Sequence, residues 1–121
     1  MPSRATVEAF AAMVESGAHA EAIEQFYTLD STMQENTAPP RAGRDKLVAR
    51  ERMVLAAQKQ VVSTRLSPIM IDGNEVAIRW RFDFEPLEGK AFSLEEVAWQ
   101  TWRGEKIAHE TFFYDPAQMG R

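Results

Sequence analysis

Apolar and polar side chains alternate with a period of two through most of the C-terminal half of the chain. From Glu75 to Glu85 one parity is Val76, Ile78, Trp80, Phe82 and Phe84, and the other is Glu75, Ala77, Arg79, Arg81, Asp83 and Glu85. That is the pattern of a strand with one buried face. Pro86, Glu88 and Gly89 break it and mark a loop. A second strand is expected over Ala91–Trp102, with Phe92, Leu94, Glu96, Ala98, Gln100 and Trp102 on one parity. Arg103-Gly104-Glu105 reads as a turn, and Lys106–Asp115 as the returning strand. There Ala108, Glu110, Phe112 and Tyr114 stand against Ile107, His109, Thr111 and Phe113. Two registers of this hairpin are open, with either Gln100 or Ala98 opposite Glu110. Both keep Glu110 and Gln100 within cross-strand reach.

Upstream the period changes. Val7, Phe10, Ala11 and Val14 fall on one helical face, with Ser3 as the expected N-cap and Gly17 as the stop. A second helix is expected from His19 to Tyr27, with Ala22, Ile23 and Phe26 inward, and His19 near its start reads as a surface residue. Thr32–Asn36 reads as a short strand, and Thr37–Gly43, with Pro39-Pro40, as loop. A third helix is expected over Arg44–Gln58, although Glu51 and Gln58 interrupt its apolar stripe. Val61–Asp72 is strand-like but broken at Pro68, and Asp72-Gly73-Asn74 is a turn. Three helices against a curved antiparallel sheet make an α+β architecture, cone-shaped, with the helices closing a pocket.

The length, 121 residues, suits a single domain spanning 1–121. A net charge of −4 argues against nucleic acid or an anionic membrane as partner. There is no cysteine, hence no disulfide or thiolate chemistry. No basic, then apolar N-terminal stretch reads as a signal peptide, and no apolar run approaches a membrane span, so the expected location is cytoplasmic. Two separated histidines without cysteine make no metal site, and no phosphate loop or nucleophile elbow is present, so no cofactor is expected.

The candidate chemistry lies in the polar residues on the inward parity: Glu96, Gln100 and Glu110. Carboxyls sharing a poorly hydrated space cannot both ionise cheaply, so one is pushed toward holding its proton and becomes a donor beside an acceptor. The plainer alternative is pairing with an arginine such as Arg44 or Arg79, or a place at the rim. Gln100 reads equally as a ligand contact or a structural hydrogen-bond partner, and Tyr114 as a ligand donor or a cap on the core. Trp80, Phe82 and Phe112 are either core or the walls of a cavity suited to a flat apolar ligand. His109, on the opposite parity from Glu110, is expected at a surface or interface.

Several strings carry a resemblance to a known family. They are GAHAEAIEQFY (Gly17–Tyr27), DSTMQENTAPPRAG (Asp30–Gly43) and WRGEKIAHETFFYDP (Trp102–Pro116). With the element order, they resemble the nuclear transport factor 2-like superfamily, in the branch of ketosteroid isomerases and SnoaL-like polyketide cyclases. The resemblance implies a single SnoaL-like domain and aligns Glu35 with that branch's general base. The branch's oxyanion donors, a tyrosine and a protonated aspartate, align with Phe10 and Ala98, neither of which donates a side-chain hydrogen bond. Glu110 takes a pocket-lining position of the final strand, and no Asp-Arg-Asp set of the related epoxide hydrolases is present.

The function expected is that of a small-molecule-binding protein, an isomerase or cyclase using Glu35 and Glu110 on an apolar carbonyl compound. Its ligand would meet Glu96, Gln100, Tyr114, Trp80, Phe82, Phe112 and Phe10. The alternative is a non-catalytic ligand-binding or dimeric protein-interaction module. A homodimer is expected through the outer sheet face, because Val97, Trp99, Ile107 and Phe113 together would make a large apolar patch.

Overall fold

The computed structural model describes residues 1–119. Helix α1 (Arg4–Glu15) begins at Ser3, whose hydroxyl accepts from the Thr6 backbone N–H, and buries Val7, Phe10 and Ala11. Helix α2 (His19–Phe26) buries Ala20, Ala22, Ile23 and Phe26. Strand β1 (Tyr27–Glu35) follows directly, and a turn through Asn36, at φ 50°, leads to the two-residue strand β2 (Arg41–Ala42). Helix α3 (Arg44–Ala56) buries Leu47 and Val48. Then come β3 (Gln58–Arg65), β4 (Met70–Asp72), β5 (Glu75–Pro86), β6 (Phe92–Arg103) and β7 (Lys106–Phe113). A single 3₁₀ turn, Pro116–Gln118, closes the described chain.

The strands form one curved, unclosed sheet in the order β2-β1-β7-β6-β5-β3, with β4 pairing β5. The sheet is mixed rather than wholly antiparallel, because β1 and β7 run parallel, with Glu35 beside Phe112. Parallel pairing needs a long crossover, and here α3 and five strands lie between the two partners. Three helices cover one face of this sheet. Buried apolar side chains from both layers make one core, including Trp80, Trp102, Ile78 and Ile107. Each contributes roughly 1.5–3 kcal/mol of transfer free energy.

Alternation places β5 and β6 as their sequence implies: Val76, Ile78, Trp80, Phe82, Leu94, Ala98 and Trp102 are all buried. The last hairpin takes the register with Gln100 opposite Glu110. Between Thr101 and Trp102 the ladder slips, with Thr101 opposite His109 but Trp102 opposite Ile107. Ala108 is the extra residue, and this bulge puts Ile107 and Glu110, three positions apart, on the same face. Ile107 is therefore fully buried in the core, not on the outer face where unbroken alternation would set it. Two other boundaries move. Tyr27 starts a strand rather than ending a helix, and that strand runs well upstream of Thr32. Pro68 separates β3 from β4 as a break.

Candidate functional site

Between the helices and the concave sheet face is a cavity of about 200 Å³. Phe10, Trp80, Phe82, Phe84 and Phe112 give it aromatic walls, and Glu35, Glu51, Glu96 and Glu110 put four carboxyls on it. Among the described residues, no lysine or arginine lines it.

Glu110 is the most enclosed of the four, at 2% exposure. It is held from two sides. The Tyr27 hydroxyl, at the start of β1, donates to Oε1. The Gln100 amide nitrogen, across the hairpin, donates to Oε2 at 2.7 Å. The orientation of that amide is set in turn by Trp102, whose indole N–H donates to the Gln100 carbonyl oxygen at 2.9 Å. With its oxygen taken, Gln100 can present only N–H to Glu110, and Glu110 accepts on both oxygens. Burial pushes the Glu110 carboxyl up to about 7, against the lowering effect of these two donors. Burial and the adjacent Glu110 push the Tyr27 hydroxyl well above its usual value, so Tyr27 stays a donor.

Glu96, on β6, lies on the same inward parity as Gln100 and is 9% exposed. Among the described residues it has neither a hydrogen-bond donor nor a cation. Burial, then repulsion from Glu110, Glu35 and Glu51, raises its carboxyl to about 8. Glu96 and Glu110 thus form a coupled pair in which the group with two donors ionises first.

Glu35 sits at the mouth. Arg41 reaches its Oε1 at 3.1 Å because β2 pairs with β1 and sets Arg41 beside Met33. The Tyr114 hydroxyl donates to its Oε2 at 3.1 Å. Asn36, in the turn after Glu35, accepts from the Tyr114 backbone N–H at 3.0 Å and fixes that neighbour. A second polar cluster sits on the helix side. The Nδ1 of His19 is 3.5 Å from Glu51, and its Nε2 is 2.7 Å from the Ser63 hydroxyl.

A family model for the SnoaL-like domain matches residues 7–110. The chain belongs to the SnoaL-like family. Solved structures of the same fold include a SnoaL-like polyketide cyclase from Mesorhizobium loti (TM-score 0.79, 21% identity, covering 94% of this chain and 100% of that one). Another is a protein with a ketosteroid isomerase-like fold from Catenulispora acidiphila in complex with trimethylamine (TM-score 0.78, 18% identity, covering 98% and 90%). A third is TerC, co-crystallised with polyporic acid (TM-score 0.76, 14% identity, covering 94% and 92%). No curated protein matches the sequence. Among the described residues no helix is long and apolar enough to cross a membrane.

In this SnoaL-like chain the cavity brings together Glu35, Glu96, Glu110, Tyr114, Trp80, Phe82, Phe112 and Phe10. Gln100 does not line it. It is fully buried behind Glu110, to which its amide donates. The arginine on Glu35 is Arg41, not Arg44 or Arg79; Arg44 lies 3.8 Å from Asp45. His19 is a wall residue, packed edge-on against Phe82, not a surface one. His109 points away from the cavity and bonds Thr32 across to β1 and Thr111 along its own strand.

Sequence reasoning missed Tyr27, Glu51, His19, Arg41 and Met119 as members of the site or its support. Glu51 did leave a signal, as a charge breaking the apolar stripe of its helix. Tyr27 left none, because Phe26-Tyr27 continues the pattern of α2.

Proposed function

We propose that this SnoaL-like protein binds a small, largely apolar molecule in its cavity and moves a proton on it. The reaction class is that of an isomerase or cyclase, acting at a C–H bond acidified by an adjacent carbonyl or its nitrogen analogue. Glu110 is the base. Its carboxylate takes the proton from carbon, and the bond's electron pair moves into the activating group. The proton is then returned at another carbon. A base titrating near working pH suits both halves of that cycle. The observation that carries the reading is the fixed Trp102–Gln100–Glu110–Tyr27 chain, which holds a buried carboxyl as an acceptor against its own desolvation. Glu96 faces the ligand as the second carboxyl, while Glu35, paired with Arg41 and Tyr114, contributes at the mouth. This shifts the base from Glu35, where family alignment put it, to Glu110.

The ligands of structural neighbours, polyporic acid and trimethylamine, support small-molecule binding by this fold without fixing a class. A non-catalytic binding role is the second reading, favoured by the 2% exposure of Glu110. The deciding experiment is solvent-deuterium exchange into a panel of carbon acids, with carboxyl-carbon NMR titration of wild type, Glu110→Gln and Glu35→Gln. Exchange that is lost in Glu110→Gln and retained in Glu35→Gln supports catalysis by Glu110. Binding without exchange leaves the binding role.

A further inference from the structure

We infer that the ligand of this cavity carries a positively charged nitrogen, held by the Glu96 carboxylate among the aromatic walls. The inference rests on the reading above and narrows its substrate class.

Glu96 is the reason. Buried polar groups are almost always paired, and a buried charge without a partner costs several kcal/mol. Glu110 has Tyr27 and Gln100, Glu35 has Arg41 and Tyr114, and Glu51 has His19. Glu96 alone of the four lining carboxyls has nothing among the described residues, although it is buried to 9% exposure and faces the cavity. A ligand in the cavity can supply the partner that the protein's own side chains do not.

The surroundings select a cation. Both tyrosine hydroxyls on the cavity are committed to carboxylates. Trp80, Phe82 and Phe84 supply aromatic walls, with Trp80 and Phe82 stacked on each other at 5.7 Å, and among the described residues no lysine or arginine lines the cavity to compete with a cationic group. The chemistry then closes without an oxyanion. A carbon acid activated by an iminium-type nitrogen loses its proton to Glu110. The C–H electron pair becomes a C=C bond, the C=N π pair becomes the nitrogen lone pair, and the product is neutral.

The charged groups that act on Glu96 are Glu110, Glu35 and Glu51, with the Tyr27 and Tyr114 hydroxyls also within its field; Arg41 is paired with Glu35, and His19 lies beside Glu51. Burial, reinforced by the neighbouring carboxyls, keeps the proton on Glu96 up to about pH 8. A bound cation reverses that balance and expels the proton. Affinity for a permanently charged cation must therefore rise with pH through this range.

The test compares benzyltrimethylammonium with the neutral ketone benzylacetone by calorimetry on the intact protein, from about pH 6 to pH 9. The ammonium ion is expected to bind about tenfold or more tightly than the ketone at the alkaline end, with proton release and affinity increasing with pH. Glu96→Gln, which is isosteric, should fold and lose that preference and its pH dependence. If the ketone binds more tightly, and its affinity falls as pH rises through 8, Glu96 acts as a neutral donor and the cation inference is overturned, while proton transfer by Glu110 stands. If neither probe binds and no carbon acid exchanges, the underlying reading falls with it.

Discussion

Gln100 and Glu110 face each other across the last hairpin, the amide nitrogen of one donating to the carboxylate of the other at 2.7 Å. That bond has a direction because Trp102 holds the other end of the amide. Trp102→Phe should release it. The amide can then rotate, and Glu110 should titrate above about 7, with a stability loss of about 1–2 kcal/mol for the hydrogen bond and the lost indole. Carboxyl-carbon NMR reads the titration and chemical denaturation the stability. An unmoved Glu110 would mean that the Trp102 bond does not control it.

Tyr27→Phe removes the second donor. The carboxylate of Glu110 is then less well solvated by the protein, so its titration should move upward. A carbon-acid exchange activity dependent on Glu110 should shift its pH profile the same way. A profile that falls in amplitude without shifting would place Tyr27 outside control of the base.

Stability should fall as the solution becomes alkaline. Glu96 and Glu110 have folded values of about 8 and about 7, above the ordinary carboxylate value of 4.5. Folding therefore takes up protons between those limits. The contribution is complete below about 4.5 and is lost as pH rises through 7 and 8, with a slope of at most about 1.4 kcal/mol per pH unit per carboxyl. Glu96→Gln should flatten the alkaline limb and raise stability at pH 9. Thermal or urea melts across pH measure this, and a limb unchanged in the variant would contradict it.

The outer sheet face should carry a homodimer contact. Trp99 and Phe113 are 46% and 48% exposed on neighbouring strands there, with Val97 between them. Ile107 contributes nothing, being in the core. Sedimentation should give a dimer at micromolar concentration and a monomer for Trp99→Glu. A monomeric wild type refutes the expectation.

Much of this site could be read from alternation alone. Glu96, Gln100 and Glu110 break an apolar parity, and a polar residue on a buried face must meet a partner or a ligand. Parity fails wherever the backbone adds a residue. Ala108 gives no sign of a bulge in the sequence, so unbroken alternation sets Ile107 on the wrong face and leaves Glu110, beyond the bulge, on the right one. Partners from distant segments were equally hidden. Arg41 lies behind Pro39-Pro40 in what reads as loop, and only the pairing of Met33 with Arg41 brings it to Glu35. His19 carries no apolar signal, and its place in the wall follows from where α2 docks.

The parallel pairing of β1 with β7 has a consequence for how the chain acquires its shape. Tyr27 and Glu110 are 83 positions apart, yet their contact closes the base of the cavity. A nascent chain that has emitted both early helices and β1 still lacks the strand on which β1 rests. Contacts of such long sequence separation pay their loop-closure entropy before any reward, which slows folding and leaves β1 exposed as an unpaired edge meanwhile. The Glu110 carboxyl therefore arrives on the last strand to be made, and the cavity cannot exist in an amino-terminal fragment that lacks it, however stable its helices.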